Sequence, residues 1–369
     1  MINKERVLHN FLAYIQIDSE SRNEESFSNI IRKELQDLGF EVYVDHAGEK
    51  AGSNTGNIIA KLKGTKDAEP ILFSSHMDTV VPGKKIKPII KDGVIYSDGT
   101  TILGGDDKAG VAAIIEAVKT MKEKNTPHGP IEIVFSICEE VGLLGAKNLE
   151  YDKIEAKTAF VLDSGGEPGQ IIIKAPAQDK IEVTVIGKSA HAGVAPEEGI
   201  SAIQVAASAI NRMKLLRIDE ETTANIGMIE GGKATNIVCP EVKITAEARS
   251  LSNEKLDKQT AHMVACFEEA AKEFGVEVEI NTPRSYCALS VDENDPIVNI
   301  VKKACEAIDI KPVTAASGGG SDTNILNENG IKAVNLGIGM KKCHTLEEHI
   351  SIQDLENGAR LVFSIIQNM

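Results

Sequence analysis

The chain has 369 residues, more than one hydrophobic core usually organises, so two domains are expected. Hydrophobic residues make up 42% and charged residues 26%, as in ordinary globular proteins, and the formal net charge of −15 argues against nucleic acid or an anionic membrane surface as a partner. The six cysteines are scattered without paired spacing, which argues against a disulfide framework or a zinc knuckle.

The N-terminal residues carry the periodicity of an amphipathic helix, because apolar residues recur at helical spacing at Val7, Phe11 and Ile15. This segment lacks the uninterrupted apolar run of a signal peptide, and no later stretch has the length and hydropathy of a membrane span. A cytoplasmic location is therefore expected.

The first part of the chain alternates helix and strand patterns. Helices are predicted over 26–39 and from about Asp107, and strands over 41–44, 57–62, 71–75, 131–137 and 159–162. Short hydrophobic runs, such as 71–73 and 131–135, are typical of buried parallel strands. This pattern predicts an α/β domain with a mostly parallel sheet.

Between residues 177 and 284 the pattern changes. Strand, helix, two strands, helix and strand follow in the order βαββαβ, at 181–186, 200–213, 225–229, 242–248, 255–274 and 276–280. That order is the ferredoxin-like arrangement. From about Pro296 the βα alternation resumes and ends in a helix at 352–367. The sequence thus predicts a catalytic domain formed by 1–176 and 285–369, with a separate domain inserted at 177–284.

Side chains that bind metals follow the predicted strands of the catalytic domain. In open α/β sheets ligands bind where parallel strands end, so we expect these side chains to gather at one sheet edge. So many carboxylates would repel one another unless cations were present, and two zinc-like ions would make them a site. The side chains are His76, Asp78, Asp106, Glu139, Glu140, Asp163 and His344.

Each of these side chains alone has an ordinary explanation as a turn residue, a helix N-cap or a solvated pair. Together they supply His, Asp, Glu, Asp and His in order. If one carboxylate bridges two cations, five ligands give each cation three protein contacts and leave room for water. In this interpretation Glu140 binds metal, Glu139 handles protons, and Asp78 bonds the second ring nitrogen of His76.

The order and wording of these motifs resemble the aminoacylase/carboxypeptidase/peptidase T family of binuclear zinc peptidases, and within it peptidase T-like proteins. The matching segments are SSHMDTV, TTILGGDDKAG, PHGPIEIVFSICEEVG, SAHAG and CHTLEEHI, which together span nearly the whole chain. The resemblance implies Glu139 as general base, Asp78 as the residue that orients His76, and a cis peptide bond after Asp106. It implies that the metal ligands are His76, Asp106 as the bridge, Glu140, Asp163 and His344.

The same resemblance implies that the inserted domain is a lid that often mediates dimerisation. His191 matches the histidine that polarises the scissile carbonyl, and Asn236 and Arg249 match substrate-binding positions, where an arginine suits a carboxylate. The loop at 317–320 matches one that lines the substrate pocket and offers backbone N–H donors, here from Gly319 and Gly320. Peptidase T carries an arginine in this loop, which this chain lacks.

The residues and the resemblance together predict metal-dependent hydrolysis of amide bonds in small peptides, as by a peptidase T-like aminopeptidase that acts on di- and tripeptides. The expected cofactors are two divalent metal ions, zinc first and cobalt or manganese as alternatives. A water bridging the metals would lose its proton to Glu139 and attack the carbonyl.

An alternative on the same site is deacylation of N-acyl amino acids. The glutamyl-type aminopeptidases, whose insert is all-β, are a further rival that the βαββαβ order disfavours. A catalytically inactive metal- or ligand-binding protein is the alternative of another class. The expected partners are a small substrate and a second copy of the chain, with no nucleic acid and no membrane.

Overall fold

Helices and strands alternate in the computed structural model of the protein, which describes residues 2–369. In this part of the chain the helices are α1 (Lys4–Ile15), α2 (Glu25–Asp37), α3 (Ala47–Ala51), α4 (Gly105–Glu123), α5 (Leu144–Lys147), α6 (Ala202–Arg212), α7 (Asn253–Phe274), α8 (Pro296–Glu306), α9 (Asp322–Glu328) and α10 (Ile352–Asn368).

The strands of the same residues are mostly short. They are β1 (Glu41–Val44), β2 (Ile58–Leu62), β3 (Ile71–His76), β4 (Ile89–Lys91), β5 (Val94–Tyr96), β6 (Ile131–Ser136), β7 (Thr158–Ser164), β8 (Gln170–Ala175), β9 (Ala177–Ile186), β10 (Leu216–Arg217), β11 (Thr222–Gly231), β12 (Glu241–Ser250), β13 (Glu277–Asn281), β14 (Arg284–Tyr286), β15 (Leu289–Ser290), β16 (Val313–Ala316), β17 (Lys332–Gly337) and β18 (His349–Ser351).

The chain divides into two compact units. The first contains the residues up to Ile173 together with Val291–Ala316 and Ser321–Met369, and the second contains Lys174–Ser290 with Ser317–Gly320. The first unit is therefore built from segments that flank the second in sequence.

The main sheet of the first unit has four parallel strands at its centre, in the order β6-β3-β7-β17. Antiparallel strands continue it on both sides, with β2 and β1 beyond β6 and β8 beyond β17. The predicted α/β fold with a parallel sheet is confirmed, and the parallel pairing is concentrated in the strands whose ends carry the candidate ligands. A small antiparallel sheet, β18-β5-β4, lies in the same unit.

Helix α4 is buried over most of its length and contacts α1, α10, β3 and β7. Its alanines, valines and isoleucines face neighbours all round, as expected of a helix inside a domain. Asp106 and Asp107 have non-helical backbone angles, so the regular helix begins after them. The start of α4 is thus an irregular turn fixed to a rigid, buried helix.

The second unit has the element order βαββαβ when its short strands β10, β14 and β15 are set aside. Its antiparallel sheet runs β10-β11-β12-β9-β13, with β14 also paired to β9. Helices α6 and α7 pack against β9 and β12, and the core between them contains Ile181, Val205, Ile244 and Phe267. The alternation of buried and exposed residues along β9 and β12 explains why the strands could be recognised in the sequence.

Candidate metal centre

Five predicted ligands come from strand ends and turns of the first unit. His76 is the last residue of β3, and Asp163 is the next-to-last residue of β7. Glu140 follows the end of β6, and Asp106 lies in the irregular turn that opens α4. His344 lies in the loop between β17 and β18, with a left-handed backbone at φ 64°.

The structure brings all five side chains together around Asp106. On one side, His76 Nε2 lies 3.2 Å from Asp106 Oδ1 and 3.7 Å from Asp163 Oδ1. On the other side, His344 Nε2 lies 3.4 Å from Asp106 Oδ2 and 3.0 Å from Glu140 Oε2. The two oxygens of Asp106 therefore point to two different groups, each of which also contains one imidazole and one further carboxylate.

Burial and mutual charge shift the pKa values of the cluster. Burial raises the pKa of Asp163 to about 7, and burial also raises the pKa of Glu140. Hydrogen bonds with Asp106 and Glu140 raise the pKa of His344 to about 10. Burial opposes ionisation of Asp106, but hydrogen bonds from His344 and His76 hold its pKa below the usual range. The metal-free cluster consequently retains protons, which bound cations would displace.

The donor set fits divalent cations. Glu140 Oε1 is buried and has no hydrogen-bond partner in the part of the chain that the structure describes, which is costly for a carboxylate unless a ligand completes it. Imidazole nitrogens and carboxylate oxygens together suit zinc and also accept cobalt or manganese. The ligand atoms of His76, Asp106 and Glu140 all lie within 4.8 Å of one another, as do those of His76, Asp107 and Asp163.

The Asp107 carboxylate lies close to the cluster but is already hydrogen-bonded to neighbouring residues. Its carboxylate accepts hydrogen bonds from the Ser75 hydroxyl, from the His76 N–H at 3.3 Å and from the Gly110 N–H at 3.3 Å. We therefore assign it to holding β3 against α4 and not to the ligand set. The peptide bond between Asp106 and Asp107 is cis, as the family resemblance implies.

Glu348 holds the turn that carries Asp106. Its buried carboxylate accepts the N–H groups of Leu103 at 2.8 Å, Gly104 at 2.8 Å and Asp106 at 3.0 Å. The sequence does not show which groups Glu348 binds, because these backbone N–H groups lie more than two hundred residues away.

Asp78 contacts both His76 and the turn after β6. His76 Nδ1 lies 2.9 Å from the Asp78 carbonyl oxygen and 3.5 Å from its Oδ1, so the main-chain oxygen is the nearer acceptor. This contact leaves Nε2 of His76 facing Asp106. The Asp78 carboxylate accepts the Glu139 N–H at 2.9 Å, the Glu140 N–H at 3.3 Å and the Ser21 hydroxyl at 2.6 Å.

Asp322 is a buried carboxylate of the first unit that the sequence patterns do not single out. Its Oδ2 accepts the Ser136 hydroxyl at 2.5 Å, whereas its buried Oδ1 has no partner among the described residues. Burial raises the pKa of Asp322 to about 6. Because the pKa of Asp322 is higher in the folded than in the unfolded chain, its contribution to the free energy of unfolding is fully present below pH about 4. This contribution is lost as pH rises through about 6.

We therefore expect Asp322→Asn to increase the free energy of unfolding of the metal-free protein by about 1–3 kcal/mol at pH about 7.5, and by less at pH about 5. Urea denaturation at both pH values measures the difference. Equal gains at the two pH values would show that ionisation of Asp322 does not weaken the native state.

The predicted substrate-binding residues belong to the second unit. His191 and Asn236 are exposed on neighbouring turns, where His191 pairs with Ile237 in a β-bridge and the Asn236 carbonyl oxygen accepts the Ala192 N–H at 2.9 Å. Arg249 lies on β12 and is only half-buried.

The Arg249 guanidinium and two glycine N–H groups are already hydrogen-bonded within the second unit. Arg249 donates from Nε and Nη2 to the two carboxylate oxygens of Glu247, both at 3.0 Å. The Gly319 N–H donates to Ser317 Oγ at 3.1 Å, and the Gly320 N–H donates to the Tyr286 hydroxyl at 3.3 Å. A Cβ at position 320 would lie 2.3 Å from the Tyr286 ring, which explains a glycine there.

Comparison with known proteins places this arrangement in a family. The protein YqjE of Bacillus subtilis (strain 168) is 47% identical over 367 residues, covering 100% of this chain and 99% of that relative. Peptidase T of Clostridium botulinum (strain Langeland) is 27% identical over 407 residues, covering 98% of each chain.

Two crystal structures resemble the whole chain. The tripeptidase from Staphylococcus aureus subsp. aureus Mu50 has a TM-score of 0.96 at 43% identity and covers 100% of this chain and 98% of its own. The aminopeptidase PepT from Bacillus cereus ATCC 10987 has a TM-score of 0.92 at 49% identity and covers 100% of this chain and 99% of its own.

No helix within residues 2–369 is both long and apolar enough to cross a lipid bilayer.

The model of Peptidase family M20/M25/M40 matches residues 72–368, the segment that contains every candidate ligand. The chain therefore belongs to Peptidase family M20/M25/M40 and is a hydrolase that acts on peptide bonds.

Proposed function

We propose that the protein is a binuclear metallopeptidase that removes the N-terminal residue from small peptides. The observation that carries this proposal is the position of Asp106, whose two oxygens lie 3.2 Å from His76 Nε2 and 3.4 Å from His344 Nε2. With Asp106 shared, His76 and Asp163 would hold one cation, and Glu140 and His344 would hold the other. Three protein ligands for each cation would leave coordination positions for water and substrate.

Two divalent cations in these sites, zinc in our proposal, would polarise the substrate carbonyl and lower the pKa of water toward neutrality. Glu139 lies beside Glu140 in the same turn and is assigned the proton transfers. Without cations, burial, followed by the negative charge of Asp163, raises the pKa of Glu139 well above its ordinary value. Glu139 takes a proton from the attacking water and returns it to the leaving amine.

The residues of the second unit are proposed to bind substrate. We assign carbonyl polarisation to His191, contacts to the peptide to Asn236, Gly319 and Gly320, and binding of the C-terminal carboxylate to Arg249. Glu247 occupies the Nε side of the Arg249 guanidinium, while Nη1 lies 3.9 Å from the position that a Cβ would take at Gly319. A second carboxylate could use this outer edge of the guanidinium.

Tripeptides and dipeptides are the proposed substrates. Relatives that cover the whole chain at 43% and 49% identity are a tripeptidase and an aminopeptidase PepT. The absence of an arginine from the loop at 317–320 leaves Arg249 as the carboxylate-binding cation in our proposal. The homodimer through the second unit and the cytoplasmic location stay predictions.

A matched set of substrates tests the proposal. We expect protein purified without chelator to contain two divalent cations per chain and to release the N-terminal residue from tripeptides. Treatment with 1,10-phenanthroline should lower the rate by at least about 10²-fold, and zinc or cobalt should restore it. Faster hydrolysis of N-acetyl amino acids than of any peptide would establish a deacylase instead. Absence of turnover with zinc, cobalt and manganese would support a binding protein.

A further inference from the structure

We propose that Glu24 is a positioning residue that fixes the turn bearing Glu139 and Glu140, and thereby sets both the proton-transfer geometry and the cation affinity. This inference rests on the proposed function, in which Glu139 is the base and Glu140 is a ligand. Glu24 lies in the N-terminal segment just before α2, far in sequence from the turn that it contacts.

The turn begins where β6 ends at Ser136, and its four successive N–H groups lie beyond the strand. Each of them donates to a side-chain oxygen from another segment of the first unit. The bonds are Ile137 N–H to Asn57 Oδ1 at 3.0 Å, Cys138 N–H to Glu24 Oε1 at 3.1 Å, Glu139 N–H to Asp78 Oδ1 at 2.9 Å and Glu140 N–H to Asp78 Oδ2 at 3.3 Å. The four N–H groups of the turn are therefore held by side chains and not by a neighbouring strand.

Cys138, the residue bound by Glu24, has a left-handed backbone at φ 50°. For a residue other than glycine this conformation is strained, and it persists where the surroundings determine it strongly. The Glu24 hydrogen bond acts on the N–H of this strained residue. Loss of the bond removes one of the contacts that keep the turn in its observed form.

Glu24 is fully buried and is bound by hydrogen bonds alone. Oε1 accepts the Arg22 N–H at 2.9 Å, the Cys138 N–H at 3.1 Å and the Cys138 thiol at 3.3 Å, and Oε2 accepts the Ser53 hydroxyl at 2.6 Å. Within residues 2–369 no cationic side chain pairs with it. A buried carboxylate without a cation depends on such donors, so Glu24 is tied to Cys138 and is not free to reorient.

Removal of Glu24 should displace Glu139 and Glu140, because both lie on the turn that Glu24 contacts. Displacement of a catalytic group by about 1 Å costs roughly 10²-fold in rate, and loss of a group that supports a ligand costs about 10–100-fold in metal affinity or activity. We therefore expect Glu24→Ala to lower kcat by about 10–100-fold with little change in KM, and to weaken cobalt binding by a similar factor.

Two further variants separate positioning from general destabilisation. Glu24→Gln keeps an oxygen acceptor for Cys138 and an amide that can donate to the Ser53 hydroxyl, so it should restore most of the lost rate. Glu132→Ala is the matched control, because Glu132 is buried at the other end of β6 and accepts the N–H groups of Glu155 at 3.0 Å and Ala156 at 2.9 Å. It should lower stability while leaving kcat within about twofold of wild type.

The experiment measures kcat and KM on a tripeptide for each variant. The metal-free proteins are also titrated with cobalt, and binding is followed by visible absorption. Both measurements use a temperature at which circular dichroism shows that every variant is folded. Low kcat and weak cobalt binding in Glu24→Ala, with recovery in Glu24→Gln, support the proposal. Wild-type values in Glu24→Ala, or equal losses in Glu132→Ala, would overturn it. The cobalt titration needs no substrate, so it still tests Glu24 if peptide hydrolysis itself fails.

Discussion

Replacing Glu139 with glutamine is expected to lower kcat by about 10²–10⁴-fold while both cations stay bound. Glutamine has nearly the same shape as glutamate but cannot accept a proton from water. Glu139 is buried, and the Asp78 Oδ1 acceptor of its N–H is unaffected by the substitution, so the turn should keep its form. Steady-state kinetics on a tripeptide and elemental analysis of the same preparation measure the two quantities.

Glu140→Gln is the matched control for this variant, because it makes the same change one residue away. Glu140 Oε2 lies 3.0 Å from His344 Nε2, and its Oε1 is buried without a partner, so we expect this second variant to lose cation affinity as well as activity. If Glu139→Gln hydrolyses tripeptides at a wild-type rate, another group transfers the proton and our assignment of the base is wrong.

Removal of the Asp106 carboxylate is expected to have the largest effect on the metal content. Asp106→Ala takes one ligand from each proposed cation, whereas Asp163→Ala takes a ligand only from the site that contains His76. We expect Asp106→Ala to bind neither cation tightly and to lose at least about 10³-fold in rate, since the cations contribute several kcal/mol of transition-state stabilisation. Asp163→Ala should retain the cation held by Glu140 and His344.

Isothermal titration of the metal-free variants with zinc measures these stoichiometries directly. The thermal midpoint provides a second readout, because a cation at a hundred times its Kd stabilises the native state by about 2.7 kcal/mol. Zinc should therefore raise the midpoint of the wild type and of Asp163→Ala, and should leave that of Asp106→Ala nearly unchanged. One tightly bound zinc in Asp106→Ala would contradict the shared position of this carboxylate.

The proximity of the candidate metal ligands in the first unit could be predicted, because hydrophobic runs mark the strands that these ligands follow. His76 and Asp163 end apolar runs that read as buried strands, and parallel strands place their carboxyl ends at one sheet edge. The order of the motifs then indicated the family. The same patterns could not fix the antiparallel pairing of β1, β2 and β8, because pairing direction depends on tertiary contacts and not on the apolar period.

The backbone contacts made by Glu24 and Glu348 could not be predicted. Glu24 and Glu348 act on main-chain N–H groups of turns that lie more than a hundred residues away, and a backbone donor leaves no mark in the sequence of its partner. Asn57 is missed for the same reason, since its amide oxygen binds the Ile137 N–H. Burial of an acidic residue without a cationic neighbour is the signal that reveals such roles, and it exists only in the folded chain.

The support of Asp106 by Glu348 has a consequence for the order of folding. The two residues are 242 positions apart in sequence, so the hydrogen bond between them closes a long loop of the chain. Contacts of such large sequence separation cost loop-closure entropy that other contacts must first offset. We therefore expect the contacts of Asp106 with Glu348 and His344 to form late in refolding.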